Sequence, residues 1–190
     1  MANHGVLIPE AIYAKDVDAY VRSAVSTATA VDNGNIVKLT TRSAVANEGE
    51  VFLAVAPSTG DGLTGLWMVY SGDEIPVTDA RYKGLDPDPR SFFTPISTST
   101  ERHVFSVYKP QLGDIILLTA DAINGSYVAS GSPTTHINAT NTGGVELAWA
   151  TSIGVGILSY KLLAVKYISL ATGAIDDQRE TAYEFECVVL

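Results

Sequence analysis

The sequence predicts an all-β chain, an antiparallel β-sandwich or barrel, with an N-terminal arm. Three observations carry this. Short runs rich in Val, Ile, Leu and aromatic residues recur along the chain and are punctuated by Gly, Pro, Asn and Asp. No long helical pattern stands between these runs, and a parallel α/β sheet would need helices for its crossovers. Hydrophobic residues make up 46% of the chain and charged residues 17%, so the exterior must be finished largely with Ser, Thr, Asn and Gly.

The elements follow in order. Residues 1–33 differ from the rest: Val6-Leu7-Ile8 is a short apolar run stopped by Pro9, and Glu10 to Val25 places Ile12, Val17, Tyr20, Val21 and Ala24 on a rough common helical face. This part is read as an arm, more extended than helical, that wraps the domain or a neighbour. At Asn33-Gly34 a turn dipeptide delivers the chain into the strand Ile36-Val37-Lys38-Leu39-Thr40, because glycine takes positive φ at little cost. Val51 to Val55 is a second strand, ended by Pro57, and Leu66 to Tyr70 is a third whose continuous apolar character implies cover on both faces.

The stretch from Tyr82 to Ser132 is central: a charged, proline-punctuated connector, Tyr82 to Arg90, leads to strands over Arg102–Tyr108 and Gly113–Asp121 that flank one loop. Ala122 to Ser126 reads as a turn, followed by Tyr127-Val128-Ala129. Ser130 to Gly144, rich in Ser, Thr, Asn and Gly, reads as a protruding loop. Val145–Ala150 and Gly156–Leu170 are strands, and the last strand alternates Tyr183, Phe185, Cys187 and Val189 against Glu184, Glu186 and Val188.

At 190 residues the chain is long enough for one domain, residues 34–190, plus the arm, and domains of this size bury roughly 70% of their unfolded surface. The formal net charge is −9, from 12 basic and 21 acidic residues with no basic run, which argues against direct binding of nucleic acid. No segment approaches the ~20 apolar residues of a membrane helix, and the start, Met1 to Gly5, lacks the basic residues of a signal peptide. A single cysteine, Cys187 in an apolar run, reads as a small buried hydrophobe of a chain made in a reducing cytoplasm.

No motif points to catalysis. His4, His103 and His136 sit in unlike segments without metal spacing, and are read as a rim residue (His103) and loop or arm residues. Ser130-Gly131-Ser132 lacks the context of a nucleophile elbow, and Gly154-Val155-Gly156 lacks the lysine and third glycine of a phosphate loop. Asp86, Asp88, Asp114 and Asp121 lack the calcium-loop pattern and read as turn-capping carboxylates. Asn138-Ala139-Thr140 matches the glycosylation sequon by chance in a polar loop, and Trp67 and Trp149 read as core or subunit-interface residues. Catalytic residues, metal and cofactor are therefore all expected to be absent.

The succession Asp32-Asn33-Gly34, Ile36 to Leu39, Gly49 to Phe52, Ala56-Pro57, Gly65 to Tyr70, Tyr82 to Arg90 and Gly113 to Asp121 resembles the head decoration, or auxiliary capsid, proteins of tailed bacteriophages, over residues 32 to 190. The resemblance implies a non-enzymatic cement protein, carried on the capsid exterior of the virion after synthesis in the host bacterial cytoplasm. Its implied partners are the major capsid protein and further copies of itself, often in a homotrimer. On this reading Val6, Leu7, Ile8, Ile12 and Tyr13 contribute to capsid or intersubunit anchoring. A virion carbohydrate-binding or receptor-binding module, with exposed aromatic residues as platforms, is the alternative.

Overall fold

The computed structural model describes residues 21–26, 31–42, 51–58, 65–70, 92–93, 104–140, 145–169 and 179–190. Strand is their dominant regular structure, as the alternation and turn signals predict, and helix is confined to a single turn. In chain order the strands are β1 (Val21–Ser26), β2 (Val31–Asp32), β3 (Ile36–Arg42), β4 (Phe52–Val55), β5 (Trp67–Val69), β6 (Phe92–Phe93), β7 (Val104–Tyr108), β8 (Ile115–Thr119), β9 (Ile123–Asn124), β10 (His136–Asn138), β11 (Leu147–Ala150), β12 (Ser159–Ser169) and β13 (Arg179–Val189). A 3-10 turn, Ala120–Ala122, joins β8 to β9.

Five strands close into a barrel in the order β1-β4-β3-β5-β7, with β7 returning to pair with β1. The other six long-range partners form an open, curled sheet in the order β8-β13-β12-β10-β11-β9, and β2 pairs with β6. Pairing is antiparallel except for β1 with β4 and β9 with β11. Sandwich and barrel were both compatible with the sequence, and the molecule uses a closed barrel against a half-barrel.

Strand alternation sorts the side chains into two cores. Ala24, Val37, Ala54, Val69, Phe105 and Val107 fill the barrel, joined by Val31. The alternate residues Ile36, Met68 and Tyr108 point out of the barrel wall and pack on the curled sheet, against Ile116, Leu118, Ile137, Leu147, Leu158, Tyr160, Phe185 and Cys187. This explains the continuous apolar run of β5: Met68 serves the shared core and Val69 the barrel interior, so both faces are covered. Cys187 is buried as expected, in step with Tyr183 and Phe185.

The turn before β3 has the predicted chemistry. Gly34 has a φ of 84°, and its amide donates to the Val69 carbonyl at 2.9 Å, locking the turn onto β5. Asp114 behaves as a turn cap: its carboxylate accepts the Gln111 amide at 2.8 Å while its own amide donates to the Gln111 carbonyl at 3.1 Å.

Three expectations need correction. The barrel begins inside the stretch read as an arm, since Val21–Ser26 is a strand with partners on both sides; its β-branched and small residues fit between β4 and β7, and tertiary pairing outweighs the local helical face. The supposed loop Ser130–Gly144 contains β10, which lies inside the curled sheet between β11 and β12. A strand of three residues with one apolar side chain, Ile137, carries no periodicity to read. Ala122–Ser126, read as a turn, includes β9, again too short to announce itself.

Candidate interaction surface

The curl of the open sheet brings strands that are not neighbours face to face. Trp149 of β11 lies 4.9 Å from the ring of Tyr183 and 5.5 Å from Phe185, both on β13, although β10 and β12 intervene in the sheet. Tyr127 closes the concavity, 5.3 Å from both Trp149 and Tyr183. Edge-to-face and tilted pairs of this kind add about 0.5–1.5 kcal/mol each beyond area burial. Trp149 is therefore a packing residue, as the sequence suggested. Trp67 packs on the barrel core, and the Arg22 guanidinium sits 5.4 Å from its ring and 4.7 Å from that of Phe52.

Between barrel and sheet lies a small polar nucleus. The Tyr108 hydroxyl donates to Met68 Sδ at 3.5 Å. The buried Tyr160 hydroxyl lies near enough to influence Tyr108 but meets no hydrogen-bond geometry. Burial, more than any neighbour, pushes the titration of both phenols well above the ordinary value. Burial likewise pushes the Cys187 thiol up to about 12, so it stays protonated and unreactive, and its sulfur donates to the Val189 carbonyl at 3.7 Å.

His136 stands on β10, with its Nδ1 2.8 Å from the Thr135 hydroxyl, rather than in a loop. Burial and then the Lys161 ammonium hold it below its ordinary value, which favours the neutral ring. Among the described residues no group of three or more His, Cys, Asp or Glu is placed to hold a metal. The sequon residue Asn138 is also a strand residue: its Nδ2 donates to the Ser152 carbonyl at 3.0 Å and its Oδ1 is buried. His4, His103, Asp86 and Asp88 lie outside the described residues, as do the proposed anchoring residues Val6, Leu7, Ile8, Ile12 and Tyr13.

The outside of the molecule is more informative. β10 pairs with β12 only at Ser159–Lys161, and the Leu162 amide adds one bond to the Thr135 carbonyl. From Leu163 onward β12 has β13 on one side and no strand on the other among the described residues. The two strands therefore continue as a ribbon beyond the curled sheet. Tyr167 is 70% exposed on it, with Val165 and Leu163 also exposed. Val165 and Tyr167 share the face of Tyr183 and Phe185, since Val165 registers with Tyr183 and Tyr167 with Thr181, so the core face runs on past the core.

A second exposed apolar site is the turn between β11 and β12. Val155 is 98% exposed at its tip and Ile153 is exposed beside it. A Cβ on Gly154 would lie 2.2 Å from Ile157 Cδ1, so a larger residue there must displace the Ile157 side chain. The Gly154 amide donates to Ser159 Oγ, whose own hydroxyl donates to the Ile157 carbonyl, fixing the turn to the start of β12.

Sequence reasoning found β12 as a strand but missed its surface, because an alternating run does not reveal where neighbouring strands stop. No helix among the described residues is long and apolar enough to cross a membrane. Comparison with protein-family models, with curated proteins and with solved structures finds no match.

Proposed function

We propose that this chain is a structural virion protein that binds the outer surface of a tailed-phage capsid and stabilises it as a decoration protein. The observation that carries the reading is the β12–β13 ribbon, which presents Leu163, Val165 and Tyr167 to solvent along an edge with no strand neighbour among the described residues. Exposed apolar side chains beside free backbone donors and acceptors suit attachment to another polypeptide. The turn and strand phrases over residues 32 to 190 that resemble decoration proteins supply the identity of that polypeptide, the major capsid protein, and suggest a homotrimer. Modest contacts repeated over a shell add through avidity.

Tyr167→Asp with Val165→Asp places charge on the exposed ribbon and leaves the buried cores untouched. Particles assembled with this variant are expected to lose most of the protein from their exterior, read by cryo-electron imaging and by quantifying bound protein. Particles that carry the variant at full occupancy, or that never carry the native chain outside the shell, overturn the reading. The arm is tested separately: deletion of residues 1–15 with undiminished occupancy removes Val6, Leu7, Ile8, Ile12 and Tyr13 from the contact.

A further inference from the structure

The barrel carries a cationic feature that the chain's net charge of −9 conceals. β4 runs between β1 and β3, and Phe52 at its start registers with Ala24 on one side and Arg42 on the other. The Arg42 pairing depends on an irregularity. Leu39 registers with Ala54, so three steps along β3 are matched to two along β4. A bulge of this kind re-aims the residue that follows it. It swings Arg42 to the level of Phe52, while Arg22, two residues before Ala24, reaches the same ring from the other side at 4.7 Å.

The result is a depression of 310 Å³ lined by Val21, Arg22, Ser23, Arg42 and Phe52. Among the described residues no carboxylate pairs with either arginine, and the Lys166–Glu184 ion pair lies on the distant ribbon. Arg22 is held by aromatic contact with Phe52 and Trp67, which orients its guanidinium without using up its N–H donors. Arg42 and Val21 are exposed beside it.

We infer that this depression is a docking site for a carboxylate side chain of a partner polypeptide, a glutamate or aspartate received between the guanidinium groups of Arg22 and Arg42, with Phe52 holding Arg22 in place from behind. The charge complementarity selects an anion, and the planar fork of a guanidinium matches a carboxylate in a bidentate way. Among the described residues the depression is open to solvent rather than enclosed, and small-molecule sites bury most of their ligand, so a side chain presented by a larger partner fits it better. The barrel is closed, so a partner cannot join it as an extra strand and must be recognised through side chains. The site lies apart from the ribbon used above and does not depend on that reading.

The test follows the Arg22 and Arg42 side-chain Nε–H resonances of the full-length protein by NMR at low salt. The titrants are a short capped peptide carrying two glutamates, the same peptide with glutamines, and inorganic phosphate. The glutamate peptide is expected to shift both arginine signals saturably, with an effect that fades as salt is raised. Arg42→Gln, at an exposed position that leaves the fold intact, is expected to weaken binding by about tenfold or more, since it removes a charge-assisted pair of hydrogen bonds. Arg22→Lys keeps the charge but loses the fork and is expected to weaken it as well. Equal shifts from the glutamine peptide, equal saturation by phosphate, shifts that follow protein concentration without any peptide, or undiminished binding by Arg42→Gln would each overturn the inference.

Discussion

The barrel and the curled sheet manage their edges in opposite ways. In the barrel every strand has two partners, β1 closing the ring between β4 and β7, and the interior is filled by small and medium side chains around Phe105. The sheet stays open, from β8 at one edge to β9 at the other, and fills its concavity with a cluster of four aromatic rings, Tyr127, Trp149, Tyr183 and Phe185. Closure removes free edges but fixes the circumference of what it encloses. Openness leaves an edge to manage and allows the sheet to tighten or relax around its contents. The exposed apolar ribbon of β12 and β13 accordingly belongs to the open part.

This contrast can be broken most directly in the two cores. Phe105→Ala and Phe185→Ala are both expected to cost about 3–5 kcal/mol. Phe105→Ala should lie near the upper end, because a closed barrel cannot shrink into the cavity, and Phe185→Ala nearer the lower end, because the open sheet can curl inward. Urea unfolding of both variants measures the difference, and the reverse order would show that curvature, not closure, limits relaxation.

Alkaline pH sharpens the comparison from another direction. The barrel's core cluster contains no titratable side chain, whereas the core shared with the sheet contains Tyr108, Tyr160, Tyr183 and Cys187. Burial raises the folded-state values of these acids, so the folded protein holds their protons more tightly than the unfolded chain. Their contribution is intact below the ordinary values and is lost as pH rises toward the folded ones; for Cys187 that window runs from 9.0 to about 12. Urea midpoints are expected to stay level up to about pH 9 and to fall above it, with a shallower fall in Cys187→Ala. A midpoint independent of pH across that window would contradict the burial of these groups.

The smallest effect belongs to the ribbon. Lys166 and Glu184 form a cross-strand ion pair with the lysine 47% exposed. Lys166→Ala is expected to change stability by less than about 1 kcal/mol, measured by thermal unfolding at low and high salt. A larger loss would mean that the ribbon is held by this pair rather than by its backbone ladder.

Much of the fold was legible because its longer strands obey simple alternation. Ile36–Thr40, Val104–Tyr108, Ile115–Thr119 and the Tyr183–Val189 part of the last strand were readable from apolar spacing, and Gly34 and Asp114 from turn chemistry. What escaped is short or non-local. β9 and β10 are too brief to show a period, and β1 is a strand by virtue of β4 and β7, both distant in sequence. The site was less legible still. The exposure of Tyr167 depends on β10 beginning only at His136, opposite Lys161, and the convergence of Arg22 and Arg42 depends on a bulge opposite β4. Neither is encoded in local composition. The anchoring residues proposed from the sequence lie outside the described part of the chain.

β10 has a consequence out of proportion to its three residues. Among the described residues it is the sole strand joining the β8-β13-β12 half of the curled sheet to the β11-β9 half. Extra residues accepted near Gly131 would merely lengthen a solvent-facing excursion, whereas the same insertion at Ile137 would cut the sheet in two and let Trp149 part from Tyr183 and Phe185. Tolerance to added sequence should therefore change from permissive to prohibitive within a few positions, at the place where the chain stops being a loop and becomes a hinge pin.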